Sequence, residues 1–279
     1  MATSTIDETG GSTPNGKPQV DPPKPPDQPA PDPNAETWVL DATTIRSTDQ
    51  SEHQVVNQGD ELYLARVVFR STVGKAGSTS AYFKGGVTMQ NTMKNVHEGE
   101  THSIPDNMGK VSFPNVVRRS ILDVAAGRGP DLLGTVDILF EDDNTPKGAV
   151  SDLMRDLAVT LKSELAGIVE DIDLLNLDTD DLTRELEQAM GDIEAAVTPT
   201  TSQAIGLFLR SFFNPDDLIG FRINLFAAVD STLAPLVDDQ VAGLLPASVG
   251  TAGALRERSY SHSYSGSAGA WVVSHVVSS

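Results

Sequence analysis

The sequence predicts an α+β fold: mainly an antiparallel β-sandwich with a helical insertion, behind a disordered, proline-rich N-terminal arm. Three observations predict it. Nine of the 17 prolines fall within residues 1–37. β-branched runs bounded by turn residues flank the middle of the remaining chain. Between them, at Thr145-Pro146, the apolar period changes from that of a strand to that of a helix.

The arm, residues 1–37, has Ile6 and Val20 as its only large aliphatics. Such a segment cannot bury enough apolar surface to offset its ordering entropy. Pro22–Pro25 and Pro23–Pro26 both fit P-x-x-P, the spacing that docks aromatic grooves. With Lys24 as the one basic neighbour, a spacer role is preferred. The folded domain is read as 38–279, starting at Trp38.

From Trp38 to about residue 140 the chain reads as β. Glu61–Phe69 is apolar and β-branched and follows the turn pair Gly59-Asp60. Ala81–Phe83 and Val87–Met89 flank Gly85-Gly86 as a hairpin. Val116-Val117 reads as a short edge strand, because Pro114 belongs near an edge or a strand start. Leu132–Phe140 is the second strong strand.

Thr145 as N-cap and Pro146 at the first helical position then open a long amphipathic helix. Its apolar stripe runs through Val150, Leu157, Leu161, Leu165 and Val169. A second helix starts near Thr179, and Thr198-Pro199 reads as the start of a third. Together they form the insertion at about 146–212. Strand character returns at Gly220–Val229, residues 233–254 carry no assignable pattern, and the Ser/Tyr/His alternation of 256–265 pairs with Trp271–Val277 as a C-terminal hairpin.

Thirty-nine acidic against 20 basic residues give a formal charge of −19 and a pI near 4.4. A polyanion would be repelled, so nucleic acid is excluded as a partner. With no cysteine, thiol catalysis, disulfides and Cys-ligated zinc are excluded. No apolar run is long enough for a transmembrane segment. The first sixteen residues lack the apolar core of a signal peptide, so the expected location is cytoplasmic, with export by a non-classical route left open.

The catalytic motifs are missing. Gly74-Lys75 resembles a fragment of a P-loop without its preceding glycine or following hydroxyl. His97 and His102 are five apart, whereas a zincin needs four, and Gly99 and Pro105 argue for a solvated turn. His262 and His275 could face each other across the C-terminal hairpin and hold a metal with a carboxylate, but Glu257 is the only acid near in sequence. Packing on a sheet face is the preferred reading for them and for Tyr260, Tyr264 and Trp271. Asn176, Asp178, Asp180 and Glu187 match EF-hand positions 1, 3, 5 and 12, but the obligatory glycine is replaced by Asp181. Helix-capping acids explain them better.

The most informative acids flank the insertion. Leu139-Phe140-Glu141-Asp142-Asp143-Asn144 closes one strand and Asn214-Pro215-Asp216-Asp217-Leu218-Ile219-Gly220 opens the next. Oxygen ligands converging from adjacent loops suit calcium, which takes six to eight of them. These two motifs, D-x-D in the form Asp142/Asn144 and D-(apolar)-I-G at Asp217–Gly220, resemble the calcium-dependent phospholipid-binding β-sandwich domain of the protein kinase C/synaptotagmin type. The resemblance covers about a dozen residues. Asn144 replaces a carboxylate, some seventy residues separate the motifs where the family has a handful, and only Asp106 and Asp123 offer themselves for the family's first calcium loop. It implies calcium as cofactor, with Asp142, Asn144 and Asp217 as ligands; Asp143 and Asp216, beside them in the same acidic loops, complete the candidate set. A calcium-bridged membrane surface or a protein partner would follow. The expected function is therefore a non-catalytic binding or accessory module, with calcium dependence as the resemblance implies. The alternative is a structural or interaction subunit of a larger assembly. An enzyme is not expected, since no nucleophile, base and orienting group stand together in the sequence.

Overall fold

The computed structural model describes residues 32–50, 60–84, 93–141, 147–174, 179–211, 218–241, 250–266 and 269–279. Residues 1–31 separate from Asp32–Ser279 as a unit of their own. That unit, with its P-x-x-P candidates, lies outside the described residues.

In chain order the described residues form β1 (Glu36–Gln50), β2 (Asp60–Thr72), β3 (Ser80–Lys84), β4 (Met93–Val96), β5 (Thr101–Ser103) and the helical turn α1 (Asp106–Gly109). There follow β6 (Lys110–Val116), α2 (Ile121–Ala125), β7 (Asp131–Glu141) and the long helices α3 (Lys147–Val169) and α4 (Thr179–Ser211). The chain closes with β8 (Leu218–Ala227), α5 (Ala234–Val241), β9 (Gly250–Ala254), β10 (Arg258–Gly266) and β11 (Gly269–Ser278).

Two mostly antiparallel sheets result. The first runs β10-β11-β1-β5, with β6 also on β1; the second runs β3-β2-β7-β8-β9, with β4 also on β2. Among the described residues, the one parallel pairing of strands is β8 with β9. Period-two alternation sets the faces. In β11, Trp271, Val273, His275 and Val277 are buried, while Val272, Ser274 and Val276 between them are half-exposed.

The second sheet is covered on both sides, so β7 is buried along its whole length and reads as a continuous apolar run. Helix α3 packs on β2 and β3. Its Val150, Met154, Leu157, Leu161, Leu165 and Val169 are buried in one core with Val67, Val136 and Ile138 of the sheet. The spacing of three and four that the sequence displays is the spacing of this contact.

Four details differ from the sequence reading, each for a physical reason. Helix α4 continues through Pro199 instead of restarting there. A proline inside a helix forfeits one backbone hydrogen bond. Beside it Thr200 donates to Glu164 of α3 at 2.9 Å, and Val197 and Thr201 are buried against their surroundings, which holds the helix together. Strand β1 begins at Glu36, inside the stretch that composition groups with the arm, and Asp32 stands 3.7 Å from Arg119. Strand β6 runs across Pro114, next to a register shift against β1 and with Asn115 at φ 56°. The unpatterned 233–254 contains α5 and β9. The hairpin strand Val87–Met89 and the turn Gly85-Gly86 lie outside the described residues.

A sealed polar network as the candidate functional site

On the face of the second sheet that looks toward the first, fully buried polar residues interrupt the apolar strands: Arg66 of β2, Thr135 and Asp137 of β7 and Asn224 of β8. Strand register brings them together. Arg66 is the partner of Asp137, and Thr135 that of Asn224.

The guanidinium of Arg66 donates to both carboxylate oxygens of Asp137, from Nε to Oδ1 at 2.8 Å and from Nη2 to Oδ2 at 3.1 Å. Its Nη1 reaches across the sandwich to the carbonyls of Leu40, at 3.1 Å, and Gly109. One side chain therefore ties β2 to β7 within its own sheet and to β1 and α1 beyond it. Asn224 Nδ2 donates to Asp137 Oδ2 at 3.0 Å and to Thr135 Oγ1 at 2.9 Å.

The C-terminal hairpin completes the network. Tyr260 OH donates to Asn224 Oδ1 at 2.9 Å, and His262 Nε2 lies 2.9 Å from the same oxygen. His275 Nε2 lies 3.2 Å from Asp137 Oδ2. Both acceptors are pure oxygen acceptors, so each imidazole carries its proton on Nε2. The Tyr260 and His275 rings stack with centroids 4.9 Å apart, and the His262 ring meets His275 edge-on at 5.2 Å.

Electrostatics follow from burial. Arg66, Asp137 and Asn224 are 0 % exposed, His275 1 % and His262 3 %. Burial alone would raise the Asp137 carboxyl, but Arg66 and the His275 hydrogen bond outweigh it and hold it well below the carboxylate range. Burial pushes His262 down to about 3, with His275 adding to the effect. It also pushes His275 down, against the pull of Asp137. The network at neutral pH is one ion pair surrounded by neutral donors and acceptors. Asp137 accepts four of its hydrogen bonds, one at Oδ1 and three at Oδ2, so its carboxylate is committed to the network.

His262 and His275 do meet, as the hairpin suggested, but the acid beside them is Asp137, 138 residues away from His275 in sequence. The sequence signal was an opposite-charge pair, Arg66 and Asp137, each set in the middle of an apolar β run.

The remaining sequence candidates are placed as follows. Asp142, Asp143, Asn144, Asp216 and Asp217 lie outside the described residues. The strands leading to them are adjacent: Phe140 is the partner of Leu218, and Glu141 that of Leu62. Asp123 is committed to a capping box on α2. It accepts from Ser120 N at 2.9 Å and pairs with Arg128 at 2.7 Å, interactions that draw its carboxyl down to about 2. Asp106 is exposed beside Lys110 at 4.0 Å. Asn176 and Asp178 lie outside the described residues; Asp180 and Glu187 belong to α4.

His97 and His102 stand on a turn and on β5, with His102 Nε2 3.2 Å from Glu100. The Gly74-Lys75 fragment lies in the β2–β3 turn. The backbone N–H groups of Gly77 and Thr79 there donate at 2.7 Å to the two carboxylate oxygens of Glu170, so an internal carboxylate fills the site. Among the described residues no group of three or more His, Asp and Glu is placed to hold a metal ion, and no helix is long and apolar enough to cross a membrane.

Between the end of α3 and the first half of α4 lies a cleft of about 410 Å³. Asp171, Asp173, Glu185 and Asp192 line it around an apolar floor of Ile168, Ile172 and Ala189.

Compared with known proteins, the chain matches no family model, no curated protein and no solved structure. Its function is therefore argued from the site alone.

The two histidines make stability depend on acid. A histidine whose folded pKa is depressed destabilises the native state as pH falls, because the unfolded chain takes up the proton first. For His262 the loss begins near the ordinary histidine value, about 6.5, and is complete near 3. At pH 4.5 it amounts to roughly 2–3 kcal/mol, and His275 adds in the same direction. The urea midpoint should therefore fall steadily from pH 7 to pH 4.5. His262→Gln should flatten that slope; a wild-type midpoint that does not change over this range would refute the neutral, buried assignment.

Proposed function

We propose that the protein is a non-catalytic binding module whose ligand chemistry lies at one end of the sandwich, outside the polar network. The observation that carries this reading is the burial of the network's ionisable core, Arg66, Asp137, His262 and His275. The groups that could act as acid, base or ligand are engaged between the sheets: Tyr260 and His262 on Asn224, and His275 on Asp137, which is itself paired with Arg66. Their hydrogen bonds join the two sheets, and in this reading that joint is structural.

Binding chemistry is then sought where strand ends gather acids. The pairing of Phe140 with Leu218 makes the end of β7 and the start of β8 neighbours. In sequence, Asp142 and Asp143 follow the first, and Asp216 and Asp217 precede the second. Four carboxylates, with the amide oxygen of Asn144, are a donor set suited to a hard cation such as calcium. Bound there, calcium would supply charge neutralisation and a bridge to an anionic surface, as the resemblance to the calcium-dependent phospholipid-binding domains implies.

Isothermal titration with calcium in 0.15 M salt should give a saturable heat, and millimolar calcium should raise the melting temperature. At a hundredfold excess over the dissociation constant the native state gains about 2.7 kcal/mol. The Asp142→Asn/Asp217→Asn double variant should lose the heat and the shift while melting no lower than wild type in chelator. Absence of heat in wild type, or a shift that survives the double variant, would remove calcium from the account.

A second reading, a subunit of a larger assembly, is favoured by the cleft between α3 and α4. Its four carboxylates over an apolar floor suit a basic, amphipathic partner segment. Under this reading the protein ignores calcium, and Asp171→Asn/Asp192→Asn weakens the partner.

A further inference from the structure

The outer face of the first sheet carries a regular pattern of small polar, apolar and charged side chains. Strand register lays its outward side chains out in rows. One row is Ser259, Val276, Asp41 and Lys110; the next is Ser261, Ser274, Thr44 and Ser103; the third is Ser263, Val272, Arg46 and Thr101. In a chain with a formal charge of −19, these three rows hold one carboxylate and two cations. Asp49 sits one row further, opposite Ala270, and Asp106 at the rim beside Lys110.

The hydroxyls of this face are partly satisfied within it. Ser261 Oγ lies 3.2 Å from Ser274 Oγ, Thr43 Oγ1 donates to the Ser274 carbonyl at 3.2 Å, and Thr48 Oγ1 donates to the Ala270 carbonyl at 3.0 Å. Covering them forfeits fewer hydrogen bonds to water than covering free hydroxyls would. The free edge of β10 is a poorer contact, because Arg222 Nη2 already donates to the Ser263 carbonyl there.

We propose that this face packs against the same face of a second copy of the chain, about a two-fold axis that crosses the strands at the Thr44 row. The pattern is complementary to itself under that operation. Rotation lays the Asp41 row over the Arg46 row of the other copy. Asp41 then faces Arg46, Val276 faces Val272 and Ser259 faces Ser263, and each contact occurs twice, as a two-fold interface requires. Arg46 is exposed and forms no ion pair among the described residues, so it is available to a carboxylate from outside.

The area suffices. Four strands at roughly 4.8 Å spacing and about ten residues at roughly 3.4 Å each give on the order of 650 Å² per copy. The pair would bury about 1,300 Å², at the lower end of stable interfaces.

Sedimentation velocity of the full chain tests this at about 50 µM, a concentration that populates an interface of micromolar strength. Wild type should sediment as a dimer. Arg46→Asp, which sets two carboxylates opposite each other, should sediment as a monomer, and the exchange Asp41→Arg/Arg46→Asp should restore the dimer. Ser274→Lys places two ammonium groups at the axis and should also give a monomer with an unchanged circular-dichroism spectrum. A monomeric wild type, a dimer that survives Arg46→Asp or Ser274→Lys, or an exchange that fails to restore association would overturn the proposal.

Discussion

Arg66→Met is expected to lower the stability of the protein by about 3–5 kcal/mol, because it leaves the Asp137 carboxylate buried without its counter-ion. Asp137→Leu should cost a similar amount by stranding the guanidinium. The two losses should not add. In the Arg66→Met/Asp137→Leu double variant no unpaired charge remains inside the sandwich, so it should be far more stable than the sum of the single losses implies. Asn224 keeps Thr135 as an acceptor in that variant, at 2.9 Å. Urea unfolding of the three variants and wild type completes the cycle. Strict additivity would show that the pair is not the desolvated unit described above.

Leu161→Ala is the second large effect. Leu161 is 0 % exposed and lies mid-way along α3 among Leu157, Leu165 and the second sheet. Truncation removes buried methyl groups and leaves a cavity, a combination that costs about 2–5 kcal/mol. Leu157→Ala, one turn earlier, should behave alike. Lys162→Ala, on the exposed side next to Leu161, should change stability by no more than about 0.5 kcal/mol. Equal melting temperatures for Leu161→Ala and Lys162→Ala would contradict the packing of α3 on β2 and β3.

The elements legible in the sequence are those with one dominant pattern. Glu61–Phe69, Leu132–Phe140 and Gly220–Val229 were readable because a sheet buried on both faces demands continuous apolar runs. The insertion was readable because Val150 through Val169 keep the period of a helix pressed on a sheet. Strand β1 was harder, since register shifts between Ala42 and Thr44 and between Ser47 and Asp49 break its alternation. Strand β9, Gly-Thr-Ala-Gly-Ala, carries almost no strand propensity and owes its place to pairing with β8.

The network was half legible. Tyr260, His262 and His275 share a hairpin, and hairpin register brings Tyr260 opposite His275. Asp137, Arg66 and Asn224 come from strands far away in sequence, and only the packing of one sheet on the other adds them. Local pattern carries no information about that step, so an acid for the histidines was sought nearby, at Glu257, and missed.

The reading of the protein as a binding module rests on the two hairpin histidines being sealed and neutral. Proton NMR of the histidine Cε1–H resonances across pH 8 to pH 5 tests that most directly. Two resonances, assigned through His262→Gln and His275→Gln, should keep their neutral-imidazole shifts across the whole range while the protein stays folded. Movement of either through a midpoint between pH 6 and pH 7 would mean that water and protons reach the network, and would contradict its role as a closed joint between the sheets.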